Sequence, residues 1–392
     1  CTVGERGIIS LVEKYGLEAF NAHKEFLFDA TEKMMRAEIR TIPQGTYFGK
    51  ATGYYDGKTP GSKYTVRVRI TVKDDEITFD YSDTDKQTPG FVNGTFTSSA
   101  SATVLTFLQM VNPDIPHNDG MIRPIHIIIP EGTILNASYP AATTYGNHLC
   151  PITASAIMRA LSPVIPDRVT AEWNALLCSL TTGTDPRKNE PFVDICFMGL
   201  KGGSGAIKGY DGYDHIGMID ASGGVLDQDY EMFEQQTPHT ILQHEYWKDS
   251  AGAGKWRGGL GVLTKFKLGG KNLSVVTFGE GDVEPPLGAH GGLPGTLNKI
   301  ELIYPDGKLY RTTTKDLIRD VPEGTIYYQE AGGGGGYGNP FERDPQLVLK
   351  DARNAKISLE SARKHYGVAI DPKTLTVDEK ATAALRRGTP QP

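Results

Sequence analysis

The chain has 392 residues, a formal net charge of −6 and a pI near 5.9. An acidic chain without a cluster of Lys and Arg lacks the positive surface that nucleic-acid binding requires, so nucleic acid is excluded as a partner. Because no run of about 18 apolar residues occurs and the four cysteines form no CxxC pair, we expect a cytoplasmic protein without a membrane span, secretory signal, disulfide framework or structural zinc site.

The first eighty residues predict helices followed by a β-hairpin. Residues 64–72 alternate apolar and polar side chains as a half-buried strand does, residues 73–76 form a turn, and residues 77–81 return as the partner strand. Residues 8–40 carry a helical pattern that predicts two helices. The apolar residues expected on their buried faces are Phe20, Phe26, Leu27, Met34, Met35 and Ile39.

The middle of the chain predicts a mixture of helices and strands. Residues 98–110 are expected to form a helix and residues 125–130 a buried strand. Residues 152–160 are again predicted to be helical. From about residue 192 to residue 328, short β-type runs alternate with glycine loops, which predicts an antiparallel β-rich layer.

The C-terminal region predicts one more helix over residues 358–366, with Ser358 able to cap its N-terminus, and then a loose tail over the last dozen residues. The element order predicts an α+β fold, a β-rich mixed architecture with N-terminal helices and glycine-rich loops. We expect a division into residues 1–150, helices with a β-hairpin and mixed region, and residues 151–392, a β-rich region with a C-terminal helix, or one intertwined unit.

A glycine-rich run, Gly332-Gly-Gly-Gly-Gly-Tyr-Gly-Asn-Pro340, precedes that last helix. Consecutive N–H groups without side chains can turn toward a phosphate. A phosphate-binding loop would also need a Lys-Ser or Lys-Thr pair after the glycines, and none is present. We therefore expect these glycines to permit a positive-φ turn where two chain segments meet closely.

Asp211, Asp214 and His215 occur together in one glycine-framed loop. An acid next to a histidine can orient a general base or complete a metal site. Alternatively, the acid bonds its own backbone and stabilises the loop. We select Asp211 and His215 as candidate catalytic residues.

Two histidines, His239 and His244, flank a predicted strand and are five residues apart. The zinc-protease motif needs an offset of four on a helix, so it is excluded. On a strand an odd offset points the two rings to opposite faces, so they would not share a ligand. We select His244 as catalytic and His239 as substrate-binding, with a structural role as the alternative for each; no residue of the chain is assigned as a metal ligand.

Arg257 precedes two glycines in Trp256-Arg-Gly-Gly. A guanidinium can hold a carboxylate or phosphate with two parallel hydrogen bonds, so Arg257 is a candidate substrate-binding residue. A buried salt bridge that holds the glycine loop is the alternative.

Several short motifs occur in a fixed order along nearly the whole chain. They are Asp80-Tyr-Ser-Asp83, Asn118-Asp-Gly120, Pro130-Glu-Gly132, Gly202-Gly-Ser-Gly-Ala206, Asp249-Ser-Ala-Gly-Ala-Gly254, Arg257-Gly-Gly-Leu-Gly261, the glycine-rich run and Ala362-Arg-Lys-His-Tyr-Gly-Val368. Each is weak alone. As an ordered set they resemble the C-terminal part of the B-type subunit of the hydantoinase B/oxoprolinase family, which includes subunits of ketone carboxylases and cyclic amidohydrolases.

The resemblance implies a heteromeric enzyme. Its hydantoinase A-type partner would use ATP and Mg to phosphorylate an amide or enolate oxygen, and the B-type subunit would host the later hydrolysis or carboxylation. The family's subunit is normally longer, so we expect a separate N-terminal half that holds a divalent metal, and a small extra subunit as a further partner.

One departure from the family bears on the substrate. In amide-opening relatives the stretch that matches residues 237–245 carries three acids, where this sequence has Thr240, Gln243 and Glu245. The loss of two carboxylates favours carboxylation of a small or aromatic ketone with bicarbonate. The alternatives are ATP-dependent hydrolysis of a cyclic amide (hydantoin, oxoproline or lactam) and a non-catalytic scaffold role.

Overall fold

The structure is a computed structural model that describes residues 1–143, 148–196, 201–217, 219 and 227–387. Within those ranges the chain forms nine α-helices and three β-sheets, so the predicted α+β class is confirmed. No helix in the described ranges is long and apolar enough to cross a membrane.

The N-terminal region consists of two helices and a four-stranded sheet in the order β1-β2-β3-β4. The predicted hairpin is confirmed as β2 and β3, which pair antiparallel, whereas β1 was not predicted and β4 lies parallel to β3. The elements are α1 (Thr2–Tyr15), α2 (Leu17–Ile39), β1 (Gly45–Tyr54), β2 (Lys63–Lys73), β3 (Glu76–Asp80) and β4 (Ile125–Ile128).

The two N-terminal helices are confirmed, but their predicted buried face is only partly right. Met35 and Ile39 are fully buried at the C-terminal end of α2. Phe26, Leu27 and Met34 are exposed, because in the described structure only the last part of α2 contributes to the core. The expectation that these three side chains are buried is therefore wrong.

Three helices cover the first sheet region: α3 (Phe96–Leu108), the short α4 (Asp119–Ile122) and α5 (Cys150–Leu161). Helices α3 and α5 confirm predicted elements. The α5 backbone packs directly on β1, where a Cβ atom on Gly49 would lie 2.0 Å from the carbonyl oxygen of Ala156. Glycine at this position therefore permits the close approach of helix and strand.

The second half forms two antiparallel sheets, ordered β11-β10-β13-β8-β7 and β12-β9-β5-β6, which confirms the predicted β-rich layer. The sheets share one apolar core, in which the rings of Phe266 and Tyr327 stack at 4.7 Å. The elements are β5 (Leu176–Asp185), β6 (Glu190–Ile195), α6 (Tyr230–Gln236), β7 (Thr240–Trp247), β8 (Gly261–Lys267), β9 (Lys271–Gly279), β10 (Lys299–Ile303), β11 (Leu309–Thr312), β12 (Asp316–Val321) and β13 (Ile326–Ala331).

The chain ends in three helices, α7 (Pro345–Arg353), α8 (Leu359–Tyr366) and α9 (Glu379–Arg387). The predicted last helix is α8, and the Ser358 side chain caps it by accepting a hydrogen bond from the Ser361 N–H at 3.0 Å. The expected loose tail is wrong over α9, whose Thr382 is buried and whose Arg386 bonds the Tyr366 carbonyl. Residues 388–392 lie outside the described residues.

The glycine-rich run packs against three other glycine-containing segments, near residues 203–206, 252–259 and 288–295. The Gly334 N–H donates to the Gly259 carbonyl at 3.0 Å. A Cβ atom on Gly334 would lie 2.0 Å from the carbonyl oxygen of Ser204. The expected close meeting of segments is thus present, but of Gly332 to Gly338 only Gly338 has positive φ, at 72°.

The apolar core changes from one cluster to another shortly after α5. The first cluster extends to Val169, and the second begins at Leu176. The division after residue 150 stays a prediction, since α5 itself packs in the first cluster.

Candidate functional site

Asp211 is held in a buried group of ion pairs. Its two carboxylate oxygens accept hydrogen bonds from Arg343 at 2.6 and 2.7 Å. Arg343 is 2% exposed and also donates to Asp351 at 2.8 Å. Burial alone raises the pKa of the Asp211 carboxyl, but the Arg343 guanidinium outweighs burial and holds that pKa below its usual value. Both carboxylate oxygens are therefore engaged by a structural partner.

Arg257 belongs to the same group. Its side chain is 2% exposed, its Nη1 donates to Asp214 at 3.2 Å, and its Nε lies 3.7 Å from Asp351. This is the geometry of the salt bridge that the sequence left as the alternative to substrate binding. We call Asp211, Asp214, Arg257, Arg343 and Asp351 the arginine–aspartate network.

His239 lies in the core between the two C-terminal sheets. The Gly269 N–H donates to its Nδ1 at 3.2 Å, so Nε2 carries the proton and donates to Thr181 Oγ1 at 2.8 Å. The ring is also packed among Phe192, Phe233 and Phe266. Burial lowers the pKa of His239 to about 4, so the imidazole is neutral at pH 7. Both ring nitrogens have protein partners, and substrate binding by His239 stays a prediction.

His215 and His244 come together although they are distant in sequence. His244 lies on β7 opposite Thr264 of β8, and the His215 ring centroid is 5.0 Å from its ring. The backbone of His215 is held by Leu260, whose carbonyl accepts its N–H at 3.1 Å. His239 points into the core instead, as the odd offset predicted. Two of the three predicted catalytic residues therefore share one site, and Asp211 is in another.

Asp227 completes this site and was not singled out from the sequence. Its Oδ2 lies 3.3 Å from His215 Nε2, and its Oδ1 lies 2.7 Å from the ammonium of Lys201, which is buried. The Tyr230 hydroxyl, at the start of α6, lies 2.8 Å from His244 Nδ1. We call His215, Asp227 and His244, with their neighbours Lys201 and Tyr230, the histidine cluster.

The electrostatics of the histidine cluster keep His215 neutral. Burial lowers the pKa of His215 to about 4; His244 and Lys201 lower it further, whereas Asp227 opposes the shift. A neutral imidazole can accept a proton or bind a metal ion through its unprotonated nitrogen. Two imidazoles and a carboxylate are therefore chemically suited to acid–base work and to metal binding.

A second buried cluster surrounds Glu280, at the end of β9. Its carboxylate pairs with Lys315 at 2.7 Å, accepts the Tyr64 hydroxyl and lies 3.5 Å from His148 Nε2. Burial alone raises the pKa of Glu280, but Lys315 outweighs it and the pKa lies below the usual value. A carboxylate so paired is a weak base. We expect this cluster to position the wall of the adjacent cleft, which Tyr54, Arg159 and Glu284 also line.

No sequence spacing could have found Asp227 or Lys201. The two residues lie 12 and 14 positions from His215 and belong to no local motif. The antiparallel bridge between Gly202 and Ile216 brings Lys201 beside His215, which is a tertiary contact. Proximity in space, and not proximity in sequence, defines this site.

The family model described as hydantoinase B/oxoprolinase matches residues 1–340. The chain belongs to the hydantoinase B/oxoprolinase family. The resemblance seen in the ordered sequence motifs is thereby confirmed.

Relatives within the family include two enzyme subunits with assigned names. The chain is 32% identical over 98% of its length to the beta subunit of the caprolactamase of Pseudomonas jessenii and covers 67% of that protein. It is 31% identical over 98% of its length to a Pseudomonas sp. strain NS671 protein named as the B component of a D-/L-hydantoinase, and covers 66% of it. The chain thus spans about two thirds of the length of these relatives.

Two solved structures of the family share the fold. A crystal structure of the ATP-dependent caprolactamase from Pseudomonas jessenii matches with a TM-score of 0.88 and 30% identity, over 99% of this chain and 68% of that chain. A nucleotide-free structure of acetone carboxylase matches with a TM-score of 0.86 over 97% of this chain and 57% of that chain. At 20% identity, the second match shows the fold alone.

The positions where family acids are replaced lie on an edge strand. Strand β7 is at the border of its sheet, and Thr240 is exposed there. The Gln243 amide bonds Glu245 on the same strand. The missing carboxylates are therefore a difference at a sheet edge, and neither position belongs to the histidine cluster.

Proposed function

We propose that this chain is part of the B-type subunit of an ATP-dependent heteromeric enzyme that opens a cyclic amide. The observation that carries this proposal is the 30–32% identity, over 98–99% of the chain, to a protein named caprolactamase. The family relative of the hydantoinase class, 31% identical, also bears a cyclic-amide name. ATP would be used by a partner subunit, because a neutral amide carbonyl is a poor electrophile until its oxygen is converted into a leaving group.

Within this chain, the histidine cluster is the proposed place of catalysis. His215 and His244 face each other with a carboxylate and a phenol in reach, whereas Asp211 and Arg257 are paired with buried counter-ions. Neutral imidazoles can exchange a proton near pH 7, as the hydrolysis of an activated amide requires. We therefore assign proton transfer to His215 and His244, and loop stabilisation to Asp211 and Arg257.

Carboxylation of a ketone is the second candidate. The specific observation in its favour is the absence of acids at Thr240 and Gln243. We rank it second because these positions lie at a sheet edge outside the histidine cluster, and because acetone carboxylase is only 20% identical to this chain.

The test is ADP release by the complex co-purified with its ATP-using partner and any upstream subunit. We expect a lactam or a hydantoin to stimulate ADP release and the ring-opened acid to accumulate. Stimulation only by a ketone with bicarbonate would support the second candidate. Stimulation by neither substrate class rejects both.

The residue assignment has its own test in the same complex. We expect His244→Gln to lower kcat by roughly 100-fold or more, the usual range for loss of a general acid or base. His126→Gln, which changes an exposed histidine on β4, is the matched control and should leave kcat unchanged. Full turnover by an intact His244→Gln complex would instead indicate a scaffold role for this chain.

A further inference from the structure

The histidine cluster presents three metal-binding atoms to one point. One ligand atom each from His215, Asp227 and His244 lies within 4.8 Å of the other two. The three residues come from separate segments: the loop after Asp214, the segment before α6, and strand β7. Convergence of this kind is independent of any sequence motif.

We propose that His215, Asp227 and His244 form a binding site for a divalent transition-metal ion of the zinc class. Imidazole nitrogens suit zinc, copper, iron and nickel, whereas magnesium and calcium prefer sites made wholly of oxygen atoms. Two imidazoles and one carboxylate are a donor set that zinc uses in hydrolytic sites. The proposal stands on this geometry and does not depend on the proposed function.

The His215 ring supplies the strongest single observation. Its Nε2 is shielded from solvent and has no hydrogen-bond partner among the described residues, although it lies 3.3 Å from Asp227 Oδ2. Buried polar atoms in native proteins are almost always hydrogen-bonded, so an exception calls for an explanation. A metal ion between Nε2 and Oδ2 would satisfy both atoms.

The surrounding residues orient the other two ligands. The Tyr230 hydroxyl at His244 Nδ1 fixes the ring and directs Nε2 toward the cluster. Lys201 occupies only Oδ1 of Asp227 and leaves Oδ2 to face His215. Outer partners that fix the tautomer and the direction of metal ligands are a regular feature of metal sites.

Two features limit the strength of binding. Lys201 offsets the charge of Asp227, so affinity should be lower than at a site whose carboxylate has no cationic partner. Zinc bonds of about 2.0–2.2 Å place neighbouring ligands roughly 3–4 Å apart. The side chains, now within 4.8 Å of one another, must therefore draw together by on the order of 1 Å, which side-chain rotation can supply.

Three protein ligands leave at least one coordination position open. Structural zinc sites are closed by four protein ligands, whereas catalytic sites keep a position for water or substrate. The site therefore has the composition of a reactive zinc site, and an amide carbonyl or a water molecule is the chemical class that would fill the open position.

The experiment is zinc titration of the chelator-treated protein, followed calorimetrically and by competition with a zinc indicator. We expect one equivalent to bind, and His215→Asn and His244→Asn each to weaken binding by roughly 100-fold or more, since loss of an outer partner alone costs about 10–100-fold. Tyr230→Phe, on a half-exposed side chain, should weaken binding about 10-fold. Cobalt in place of zinc should give a visible absorption band that His244→Asn abolishes.

Controls separate this site from other zinc-binding groups and from misfolding. Cys1→Ser removes an exposed thiol and His126→Asn an exposed imidazole, and neither should change the single tight equivalent. Unchanged circular dichroism in chelator shows that a variant is folded. The proposal is overturned if the wild-type protein binds no stoichiometric zinc, or if folded His215→Asn and His244→Asn both retain it. Because the titration uses neither substrate nor ATP, its outcome is independent of the enzyme assay.

Discussion

The loop from Asp211 to His215 enters two regions that differ in how completely their polar groups are paired. In the arginine–aspartate network, Arg343 joins Asp211 and Asp351 with hydrogen bonds of 2.6–2.8 Å, and the guanidinium is buried. In the histidine cluster, His215 Nε2 has no hydrogen-bond partner in the described part of the chain. Saturated pairing fixes a fold, whereas a ring nitrogen without a hydrogen bond is free to act on a ligand.

The difference shows that neighbours in sequence can serve separate purposes. Asp211 and His215 are four positions apart, and no pattern in the sequence separates them. In the structure, the backbone turns at His215, which has a φ of 47°, and directs the two side chains to different partners.

Removal of the central arginine should have the largest effect on stability. Arg343→Met leaves Asp211 and Asp351 buried without their cation, and breaking a buried ion pair costs about 3–5 kcal/mol. Urea unfolding of the variant and the wild-type protein measures this loss. Arg311→Met, at an exposed ion pair with Glu301, should cost about 1 kcal/mol or less. Equal losses for both variants would contradict the distinction between the network and surface pairs.

Acidification should destabilise the protein through His215. Its pKa in the folded protein is about 4, below the ordinary 6.5, because of burial, with His244 and Lys201 acting in the same direction and Asp227 against it. The folded state therefore resists protonation, and the associated stability is complete above pH 6.5 and is lost as the pH falls toward 4. At pH 5 the loss is about 2 kcal/mol.

His215→Asn should remove that part of the pH dependence. The measurement is urea unfolding at pH 7 and pH 5, in chelator, for the wild-type protein and the variant. His126→Asn changes an exposed histidine and should retain the wild-type dependence. An identical pH dependence for His215→Asn and wild type would show that His215 does not resist protonation.

The smallest expected effect is that of His244→Gln on stability. The ring is half-buried, and loss of its contact with Tyr230 removes a hydrogen bond worth about 0.5–1.5 kcal/mol. Urea unfolding at pH 7 gives the value. A loss as large as that of Arg343→Met would assign the histidine cluster a structural role and remove the difference between the two regions.

The sequence predicted best those elements whose pattern is local. The alternation in β2 and β3 and the Ser358 cap of α8 need no distant information. Strand β1 was missed because Gly49 and Gly53 interrupt its pattern. Their reason is tertiary, since α5 and the Tyr64 ring lie where side chains would be. Exposure of Phe26 was likewise unpredictable, because periodicity identifies an apolar face and not what covers it.

The candidate site was predictable only in part. His215 and His244 were chosen for their chemistry, and the structure places them together. Asp227 and Lys201 were not chosen, because their contribution depends on the folding of segments that are distant in sequence. Arg257 and Asp211 have the same residue types that bind substrates, and only their burial and partners show a different use.

The glycine layer has a consequence for protein synthesis. The segments near residues 203–206 and 252–259 find backbone partners in the run from Gly332 to Gly338, which leaves the ribosome much later. Until then their N–H and C=O groups lack those partners, and buried backbone groups without partners are costly. The C-terminal half therefore cannot complete its layer during translation of the β-rich region. It closes only after the last strand has been made, and a ribosome that stalls before Gly332 releases a chain exposed to aggregation.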